Sequence, residues 1–450
     1  MEITFLLNGE TVRLHNSDNT TTLLDWLRNN KGLTGSKEGC NEGDCGACTV
    51  IVTDRFGART FNSCILFLPQ LHGKAIRTVE GISGPEKEIH PIQSAMIKNH
   101  GSQCGFCTPG FITAMSCAHL NGEKNYDDTL AGNLCRCTGY APIIRAAEAA
   151  SNEPVPDWMH DHPPQVSDHP SLPHSADTLA KWYSNNPDGT LIGGATDVAL
   201  WVTKSLQELK NTAFLHQCKD LQKIRRTKEG IYIGAAVTMD RLAEIMINQH
   251  PSYAELIRRY GSQQVRNAAT IGGNIANASP IGDNPPALIA LGATLHLRKL
   301  RNRRDIPIED FFIAYGKQDR FPGEFIEAVT IPHQKDRLKV YKLSKRFDQD
   351  ISSVCGAFNI DITDGLVSNV RIAFGGLAEI PKRAQFTEQA LIHQPWTKDL
   401  VTSAMSSLAM DFTPISDLRA SSDYRLDCAQ KMLLRVWLED QGIITSVLDI

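Results

Sequence analysis

The stretch that decides the fold reads Cys40-Asn41-Glu42-Gly43-Asp44-Cys45-Gly46-Ala47-Cys48, and Cys64 follows it further along the chain. The spacing is C-x4-C-x2-C with a remote fourth cysteine, so three sulfur ligands lie on one short loop. The intervening residues are small and rich in glycine, which allows backbone N–H groups to approach a bound inorganic group closely. The stretch therefore predicts a metal-binding loop.

The flanks of this loop predict a small α+β domain. Met1–Leu14 alternates around an Asn-Gly pair, which is the strongest short signal for a β-hairpin. Thr22–Asn30 carries apolar residues at helical spacing, and Thr49–Thr53 is typical of a strand. The cysteine spacing is that of plant-type [2Fe–2S] ferredoxins. We therefore predict a β-grasp ferredoxin domain over residues 1–82, with a zinc site as the alternative on spacing alone.

A second group of cysteines has a different spacing. Cys104-Gly105-Phe106-Cys107 is C-x2-C, and Cys135-Arg136-Cys137 is C-x-C. Helical periodicity marks the stretches before, between and after these pairs, namely Pro91–Asn99, Phe111–Leu120 and Ile143–Ala150. Together they predict a helical [2Fe–2S]-binding domain over residues 83–150. Spacing alone leaves zinc open here too, although one intervening residue makes a cramped ligand pair.

The composition excludes several classes of protein. The 450 residues include 46 basic and 50 acidic ones, and the formal charge of −4 provides no basic field for nucleic acid or anionic lipid. No apolar run approaches the roughly 18 residues of a membrane span, and the first residues lack a secretory signal. We therefore expect a cytoplasmic protein with reduced cysteines. Cys117 stands outside both groups, and Cys218, Cys355 and Cys428 are interpreted as small buried hydrophobic residues.

Residues 151–176 form a predicted linker, because they have little to bury and are rich in proline. Such a tract is typically an extended, semi-rigid tether. Its prolines and histidines are Pro154, Pro156, Pro163, Pro164, Pro170, Pro173, His160, His162, His169 and His174. A polar tract without a second source of ligands is interpreted as a solvated linker rather than a metal site.

Two glycine-rich stretches follow the linker. Leu191–Val198 reads as a strand, a glycine turn and the start of a helix, and Ala268–Asp283 is a longer loop of small residues around a Gly-Gly pair. Neither contains G-x-G-x-x-G or G-x-x-x-x-G-K-[ST], so the Rossmann and P-loop fingerprints are absent. Small residues still allow backbone N–H groups to reach a pyrophosphate. Taken singly, each stretch is more often a turn than a cofactor cradle.

Together and in this order, the motifs resemble the xanthine dehydrogenase and molybdenum hydroxylase family. The motifs that carry the resemblance are C-x4-C-x2-C, C-G-F-C-T-P-G with C-R-C-T-G-Y, G-G-x-T-D and T-x-G-G-N-I. The resemblance implies two [2Fe–2S] clusters, one held by Cys40, Cys45, Cys48 and Cys64, the other by Cys104, Cys107, Cys135 and Cys137. It also implies that the second cluster lies nearer the molybdenum centre.

The same resemblance implies a vanillyl-alcohol-oxidase-like FAD-binding domain over residues 177–335. Two stretches are implied to cradle the FAD pyrophosphate: Leu191, Ile192, Gly193, Gly194, Ala195, Thr196, Asp197 and Val198, and Thr270, Ile271, Gly272, Gly273 and Asn274. Further FAD contacts are implied at Tyr260, Asp283, Ile326 and Lys342. Phe311-Phe312-x-x-Tyr315 matches a family segment near the nicotinamide pocket. Gln349 occupies an acidic position of the animal relatives, in a loop that tunes flavin reactivity toward NAD or oxygen.

Residues 336–450 are predicted to form a small α+β C-terminal domain. Val354–Ile362 and Leu366–Phe374 alternate like strands joined by a Thr-Asp-Gly turn. Helical periodicity marks Ala384–Leu391, Thr397–Leu408 and Tyr424–Leu438. The domain is similar to the module that follows the flavin domain in the family, and we expect it to serve packing and subunit contact.

The sequence therefore predicts an α+β multidomain chain of an oxidoreductase. The resemblance implies the FeS/FAD small subunit of a split bacterial xanthine dehydrogenase, with no catalytic residue of purine hydroxylation in this chain. A large molybdopterin-binding subunit would hydroxylate the purine, and electrons would pass through the helical cluster, the β-grasp cluster and FAD to NAD. An (αβ)2 heterotetramer is expected, without nucleic-acid or membrane partners. The alternatives are a subunit for aldehyde, nicotinate or carbon monoxide oxidation, a zinc-stabilised binding protein, and a stand-alone NADH-dependent electron shuttle.

Overall fold

The computed structural model describes residues 2–15, 17–169 and 171–446. The chain divides into two units, which are described separately. The first unit comprises Met1–Ser175, Asp188–Cys218 and Gly261–Ala269, and the second comprises Ala176–Pro187, Lys219–Tyr260 and Thr270–Ile450. Three parts of the predictions lie outside the described residues: the first residue of the hairpin, linker residue Pro170, and residues 447–450 of the C-terminal domain. The predicted domain boundaries stay predictions.

A mixed five-stranded sheet opens the first unit. Its elements are β1 (Ile3–Leu7), β2 (Glu10–Leu14), α1 (Leu23–Asn29), β3 (Thr49–Asp54), β4 (Gly57–Asn62) and β5 (Ala75–Arg77). The strand order is β2-β1-β5-β3-β4, with β1 and β5 parallel. Helix α1 packs on the sheet, where the rings of Phe5 and Trp26 meet edge to face at 5.6 Å. The predicted hairpin, helix, strand and β-grasp fold are confirmed.

A helical module follows. Its helices are α2 (Pro91–Lys98), α3 (Thr108–Asn121), α4 (Tyr126–Leu130) and α5 (Ala141–Ala150). Phe111, Met115 and Ile143 are fully buried at its centre. The cysteines of the second group lie in the loops that lead into α3 and α5. The helical [2Fe–2S] fold predicted for this part of the chain is confirmed.

A buried histidine is expected to make this module sensitive to acid. His90 Nδ1 accepts a hydrogen bond from Ile92 N at 3.1 Å at the start of α2, and its ring meets His119 edge to face at 5.4 Å. Burial, with the nearby His119 and Arg77, lowers the pKa of His90 to about 4. The unfolded chain takes up this proton near pH 6.5, so we expect the free energy of unfolding to fall by up to about 3 kcal/mol between pH 6.5 and 4.

The replacement His90→Asn tests this expectation. Asparagine keeps a side-chain acceptor at the helix N-cap but does not titrate. Urea unfolding of the wild type and the variant between pH 4 and 8 should therefore show a flatter pH profile below pH 6.5 for the variant, and parallel profiles above it. If the free energy of unfolding falls equally with decreasing pH in the two proteins, another group causes the acid sensitivity.

Residues 176–269 alternate between the two units. Their elements are α6 (Ala176–Asn185), β6 (Thr190–Ile192), α7 (Val198–Thr203), β7 (Thr212–Phe214), β8 (Ile224–Arg226), β9 (Gly230–Gly234), α8 (Met239–Gln249), α9 (Pro251–Arg258) and α10 (Gln263–Ala268). Strands β6 and β7 pair in parallel within the first unit, to which α7 and α10 also belong. The predicted strand, glycine turn and helix start of Leu191–Val198 are confirmed by β6 and α7.

The remaining elements belong to the second unit. They are α11 (Ile271–Asn277), α12 (Asn284–Ala290), β10 (Thr294–Lys299), β11 (Asn302–Pro307), β12 (Phe312–Ala314), β13 (Lys317–Gln318), β14 (Phe325–Pro332), β15 (Leu338–Leu343), β16 (Val354–Thr363), β17 (Leu366–Gly375), β18 (Lys382–Arg383), α13 (Gln385–Leu391), α14 (Lys398–Met405), α15 (Leu408–Asp411) and α16 (Ser422–Asp440). An antiparallel sheet has the order β11-β10-β14-β9-β8, and another has the order β15-β16-β17-β18.

The C-terminal part of the second unit has its own core. Strands β16 and β17 form a hairpin whose turn places Asp364 and Gly365 at φ 53° and 77°. Phe358 and Phe374, on these strands, are fully buried together with Leu433 of α16. The predicted strands, turn and helices are confirmed. Within the described part of the chain, no helix combines the length and apolarity that a membrane crossing needs.

Candidate cofactor sites

The first group of cysteines lies at the edge of the β-grasp sheet. Cys40 and Cys45 are half-buried on the loop before β3, whereas Cys48 and Cys64 are buried. The backbone N–H groups of Asp44 and Cys45 both donate to Cys40 Sγ, each at 3.3 Å. Such N–H···S bonds stabilise a thiolate, as cluster ligation requires.

The four sulfur atoms of this group interact with one another. The thiol of Cys45 lowers the pKa of Cys40, with a further contribution from Cys64, and the pKa of Cys45 is raised in return. Cys64 likewise lowers the pKa of Cys48, and its own pKa is raised by Cys40 and Cys48. Among the described residues, no group of three or more His, Cys, Asp or Glu side chains is arranged to hold a metal ion. A [2Fe–2S] cluster divides four thiolates between two irons, and the residue types of this set are those that it takes.

Glycines leave room at this loop. An added Cβ at Gly39 would lie 2.7 Å from Cys45 Sγ. One at Gly43, whose φ is 80°, would lie 2.7 Å from Ile65 Cδ1. Side chains at these positions would therefore press on the sulfur ligand or its neighbours. The donor set and the loop fit a [2Fe–2S] cluster.

The second group of cysteines lies on the two loops that lead into α3 and α5. Cys107 is the residue before α3, and burial together with Cys135 raises its pKa to about 12. Cys137 and Cys104 interact directly, which raises the pKa of Cys137, and both are exposed. Thr138 Oγ1 lies 3.2 Å from Cys135 Sγ. The structure thus brings together the two cysteine pairs that the sequence predicted as one ligand set.

The two cysteine loops also touch through their backbones. Leu134 N, next to Cys135, donates to the carbonyl oxygen of Cys45 at 2.9 Å. The first cluster loop has a further neighbour in α7, where Thr203 Oγ1 donates to Asn41 O at 3.0 Å. Both predicted cluster sites therefore lie in one connected part of the first unit.

The first predicted flavin stretch is a tight turn between β6 and α7. Ala195 adopts a left-handed conformation with φ 61°, and Gln70 Nε2 donates to Gly193 O at 3.3 Å. A Cβ at Gly194 would collide with Ala268 O of α10. Glycine is therefore required at this position for packing within the first unit, beside the predicted role of the stretch in FAD binding.

The second predicted flavin stretch is a short helix rather than a loop. Thr270 caps α11 by accepting a hydrogen bond from Gly273 N at 3.2 Å, and the Gly-Gly pair occupies the first turn. A Cβ at Gly272 would lie 2.5 Å from Ala235 Cβ. The sequence interpretation missed this helix because glycine weakens helical propensity, whereas the threonine cap and the packing contact stabilise it.

The structure adds two residues that sequence reasoning missed. Asn274 Nδ2 donates to Tyr260 Oη at 3.3 Å. Asn284 Nδ2 donates to Asn274 Oδ1 at 3.0 Å, and Tyr253 Oη donates to Asn284 Oδ1 at 2.8 Å. Asn284 and Tyr253 therefore orient Asn274. A buried tyrosine hydroxyl needs a polar partner, but the sequence does not say which one.

Asp283 and Lys342 form a buried ion pair in the second unit. Lys342 Nζ lies 2.7 Å from Asp283 Oδ2, and the side chains are 2% and 7% exposed. Ser352 Oγ donates to Asp283 Oδ1 at 2.5 Å, and Lys342 Nζ also donates to Arg259 O at 3.3 Å. Both carboxylate oxygens of Asp283 thus have partners within the protein. Their predicted contact with FAD stays a prediction.

The other predicted positions are more dispersed in the second unit. Ile326 is buried on β14, where it pairs with Leu297 of β10. Phe312 is buried, whereas Tyr315 is 73% exposed. Gln349 is left-handed with φ 49° in the loop after β15. The predicted roles of these positions stay predictions.

Family models match the chain in the predicted order. A 2Fe-2S iron-sulfur cluster binding domain matches residues 5–67, and a [2Fe-2S] binding domain matches residues 78–148. The FAD binding domain in molybdopterin dehydrogenase matches residues 169–334. The CO dehydrogenase flavoprotein C-terminal domain matches residues 339–440. The matches support iron–sulfur and flavin cofactors over the zinc alternative.

Similar proteins agree with these matches. Xanthine dehydrogenase of Emericella nidulans is 30% identical over 91% of this chain and 36% of its own length, and xanthine dehydrogenase/oxidase of Gallus gallus is 29% identical over 92% and 38%. This chain thus spans less than two-fifths of their length.

A solved carbon monoxide dehydrogenase from Hydrogenophaga pseudoflava, lacking the Mo-pyranopterin moiety, has a TM-score of 0.56 at 26% identity, over 59% of this chain and 93% of that one. Quinoline 2-oxidoreductase from Pseudomonas putida 86 shares the fold at a TM-score of 0.56 and 23% identity, over 62% and 100%. The chain belongs to the molybdenum hydroxylase family of oxidoreductases, and its domains match the FeS/FAD region of xanthine dehydrogenase.

Proposed function

We propose that the chain is the FeS/FAD subunit of a xanthine dehydrogenase, which carries electrons from a molybdopterin-binding partner to NAD. The observation that carries the proposal is the order of two four-cysteine sites and a flavin domain, matched over 91% of the chain to a xanthine dehydrogenase. We further propose that the partner oxidises a purine, and that the assembly is an (αβ)2 heterotetramer in the cytoplasm. When bound, the clusters supply one-electron steps and FAD converts between one- and two-electron transfer.

The residues of this chain would hold the redox groups and set their surroundings. Two cysteine sets would ligate the clusters, and the N–H groups of Asp44 and Cys45 favour the thiolate of Cys40. The Gly194 turn and the first turn of α11 expose backbone at the two predicted FAD stretches. Asn274, oriented by Asn284, presents an amide at the second stretch. No general acid or base for purine hydroxylation is assigned to this chain.

The experiment that tests the proposal is co-expression with a molybdopterin-binding partner. The purified complex should contain about four iron atoms per copy of this chain, with one FAD, and should reduce NAD when xanthine is added. The isolated chain should oxidise NADH with an artificial acceptor. Zinc in place of iron, or NAD reduction that does not depend on xanthine, would contradict the proposal.

A carbon monoxide-oxidising enzyme is the second candidate. It is favoured by the match of residues 339–440 to the CO dehydrogenase flavoprotein C-terminal domain and by the solved carbon monoxide dehydrogenase of similar fold. The same complex assayed with carbon monoxide and a dye acceptor distinguishes the two, because only one substrate should bleach the flavin and cluster absorption. Reduction by carbon monoxide but not xanthine would favour this candidate.

Replacing single cysteines tests the ligand assignment. Cys104→Ala is expected to lower the iron content from about four to about two atoms per chain, because the second cluster would lack one thiolate. Its control is Cys117→Ala: Cys117 is 4% exposed, and burial raises its pKa to about 12, so it stays a neutral thiol outside both sites. Iron analysis and EPR spectra of the reduced proteins measure the effect. Equal iron loss in both variants would refute the assignment.

A further inference from the structure

A buried amide network joins the loops of both predicted clusters in the first unit. Gln264 of α10 donates from Nε2 to Asn133 Oδ1 at 3.0 Å and to Thr49 Oγ1 at 3.3 Å. Asn133 Nδ2 and Thr49 Oγ1 donate to the same carbonyl oxygen, that of Gly46, at 3.0 Å and 2.6 Å. None of the three side chains is more than 2% exposed. Gly46 lies between Cys45 and Cys48, and Asn133 lies two residues before Cys135, so one network spans both loops.

Glycines bring the same segments into direct backbone contact. A Cβ at Gly110, in the first turn of α3, would collide with Gly46 O. A Cβ at Gly46 would collide with Gly132 O, and one at Gly132 would collide with Gln264 Oε1. The loops are therefore packed too closely for a side chain at these three glycines. The amide network determines which groups of the two cysteine loops are in contact.

Helix α10 extends this contact to the first predicted flavin stretch. The carbonyl oxygen of Ala268, at the end of the helix, occupies the space that a Cβ at Gly194 would need. One residue before it, Asn267 Nδ2 donates to Thr60 O of β4 at 2.9 Å. Gln264 and Ala268 are one helical turn apart, so a displacement of Gln264 moves the surface against which Gly194 packs.

We propose that Gln264 is a positioning residue for electron transfer, which fixes the loops of both clusters and the Gly194 turn relative to one another. The inference rests on the proposed function, because it requires clusters and FAD in this chain. The rate of electron transfer between separate centres falls steeply with the distance between them. A rigid scaffold is therefore needed to keep the centres at fixed separations. Gln264 holds one cluster loop through Thr49 and the other through Asn133.

Packing alone does not account for a glutamine at this position. Among the described residues, Gln264 Oε1 has no hydrogen-bond partner, although it is fully buried. An unsatisfied buried amide oxygen costs free energy that a leucine side chain of similar size would not. The two directed hydrogen bonds from Nε2 offset that cost, because they specify the register of the loops, which an apolar side chain cannot do.

The test is EPR spectroscopy of the dithionite-reduced chain with its cofactors, comparing wild type with Gln264→Leu. When both clusters are reduced, their spins couple, and the coupling depends on the distance and orientation between them. We expect Gln264→Leu to keep its iron and FAD content and the g values of each cluster, but to show a shifted and broadened spin–spin splitting. A splitting identical to that of the wild type, with a loss of stability alone, would overturn the proposal.

Two further variants complete the test. Gln263→Leu is the matched control, because it makes the same replacement at the neighbouring position, whose side chain is hydrogen-bonded to Asn267 and Arg266 of its own helix. Its splitting should equal that of the wild type. Thr49→Val keeps the shape of the side chain but removes the shared hydroxyl, so it should shift the splitting in the same direction even if Gln264→Leu fails to fold. An unchanged splitting in Thr49→Val, or an equal shift in the control, would overturn the inference. A wild type without two cluster signals would instead refute the proposed function.

Discussion

Replacing Asp283 with alanine is expected to lower the free energy of unfolding of the second unit by about 3–5 kcal/mol, because it leaves a buried ammonium group without its partner. Lys342 is 2% exposed and lies 2.7 Å from the Asp283 carboxylate. The hydroxyl of Ser352 also loses its acceptor in this variant. Urea unfolding curves of wild type and variant at neutral pH measure the loss.

The matched control replaces both partners, Asp283→Leu together with Lys342→Met. Removing both charges removes the desolvation cost of each, so the double variant should unfold closer to the wild type than Asp283→Ala does. If the two variants lose equal stability, the ion pair is not the cause. FAD content, measured on the same samples, separately tests whether the two positions contact the flavin.

The second large effect is expected for Gly46→Ala. Gly46 has φ 68°, and an added Cβ would collide with Gly132 O and lie 2.6 Å from Asn133 Nδ2. The combined cost of the left-handed backbone and the overpacking is roughly 3 kcal/mol. Because the residue lies between Cys45 and Cys48 and presses on the segment before Cys135, iron should be lost from both clusters. Iron analysis and urea unfolding measure the two effects.

Gly105→Ala is the control for backbone strain. Gly105 has φ 82° on the other cluster loop, but nothing lies within 4 Å of the position of its Cβ. This variant should cost only about 1 kcal/mol, from the left-handed conformation alone, and should keep its iron. Comparable iron loss in the two alanine variants would show that backbone strain, not crowding, governs cluster assembly.

Local patterns predicted much of the fold. The Asn-Gly hairpin, the helix over α1 and the C-terminal hairpin of β16 and β17 depend on neighbouring residues, so their signals lie in short stretches of sequence. The cysteine spacings predicted two ligand sets, and the structure brings together the sulfur atoms of each. Spacing by itself did not distinguish iron–sulfur clusters from zinc, because both metals take thiolate ligands.

Contacts between distant segments were not predicted. The Gly-Gly pair of α11 was interpreted as a loop, although Thr270 caps a helix there and Gly272 packs against Ala235. Lys342 and Asp283 were both predicted as FAD contacts, but nothing in the sequence indicated that they pair with each other. Such pairings depend on the path of the backbone between the partners, which a short sequence pattern does not contain.

The sequence by itself determined the candidate ligands, their grouping and the order of the domains, because ligand chemistry and chain order are properties of residue identity and spacing. Only the tertiary structure decided which backbones touch. The sequence assigned Gly46 to the first cysteine loop and Gly194 to a predicted FAD stretch, but it did not indicate what either glycine packs against, and Gly132 and Gln264 belong to no motif. Folding places them where the cluster loops and the flavin turn meet, at contacts too close for a side chain. The physical reason is steric: whether a Cβ fits depends on segments that are remote in sequence and adjacent only in space.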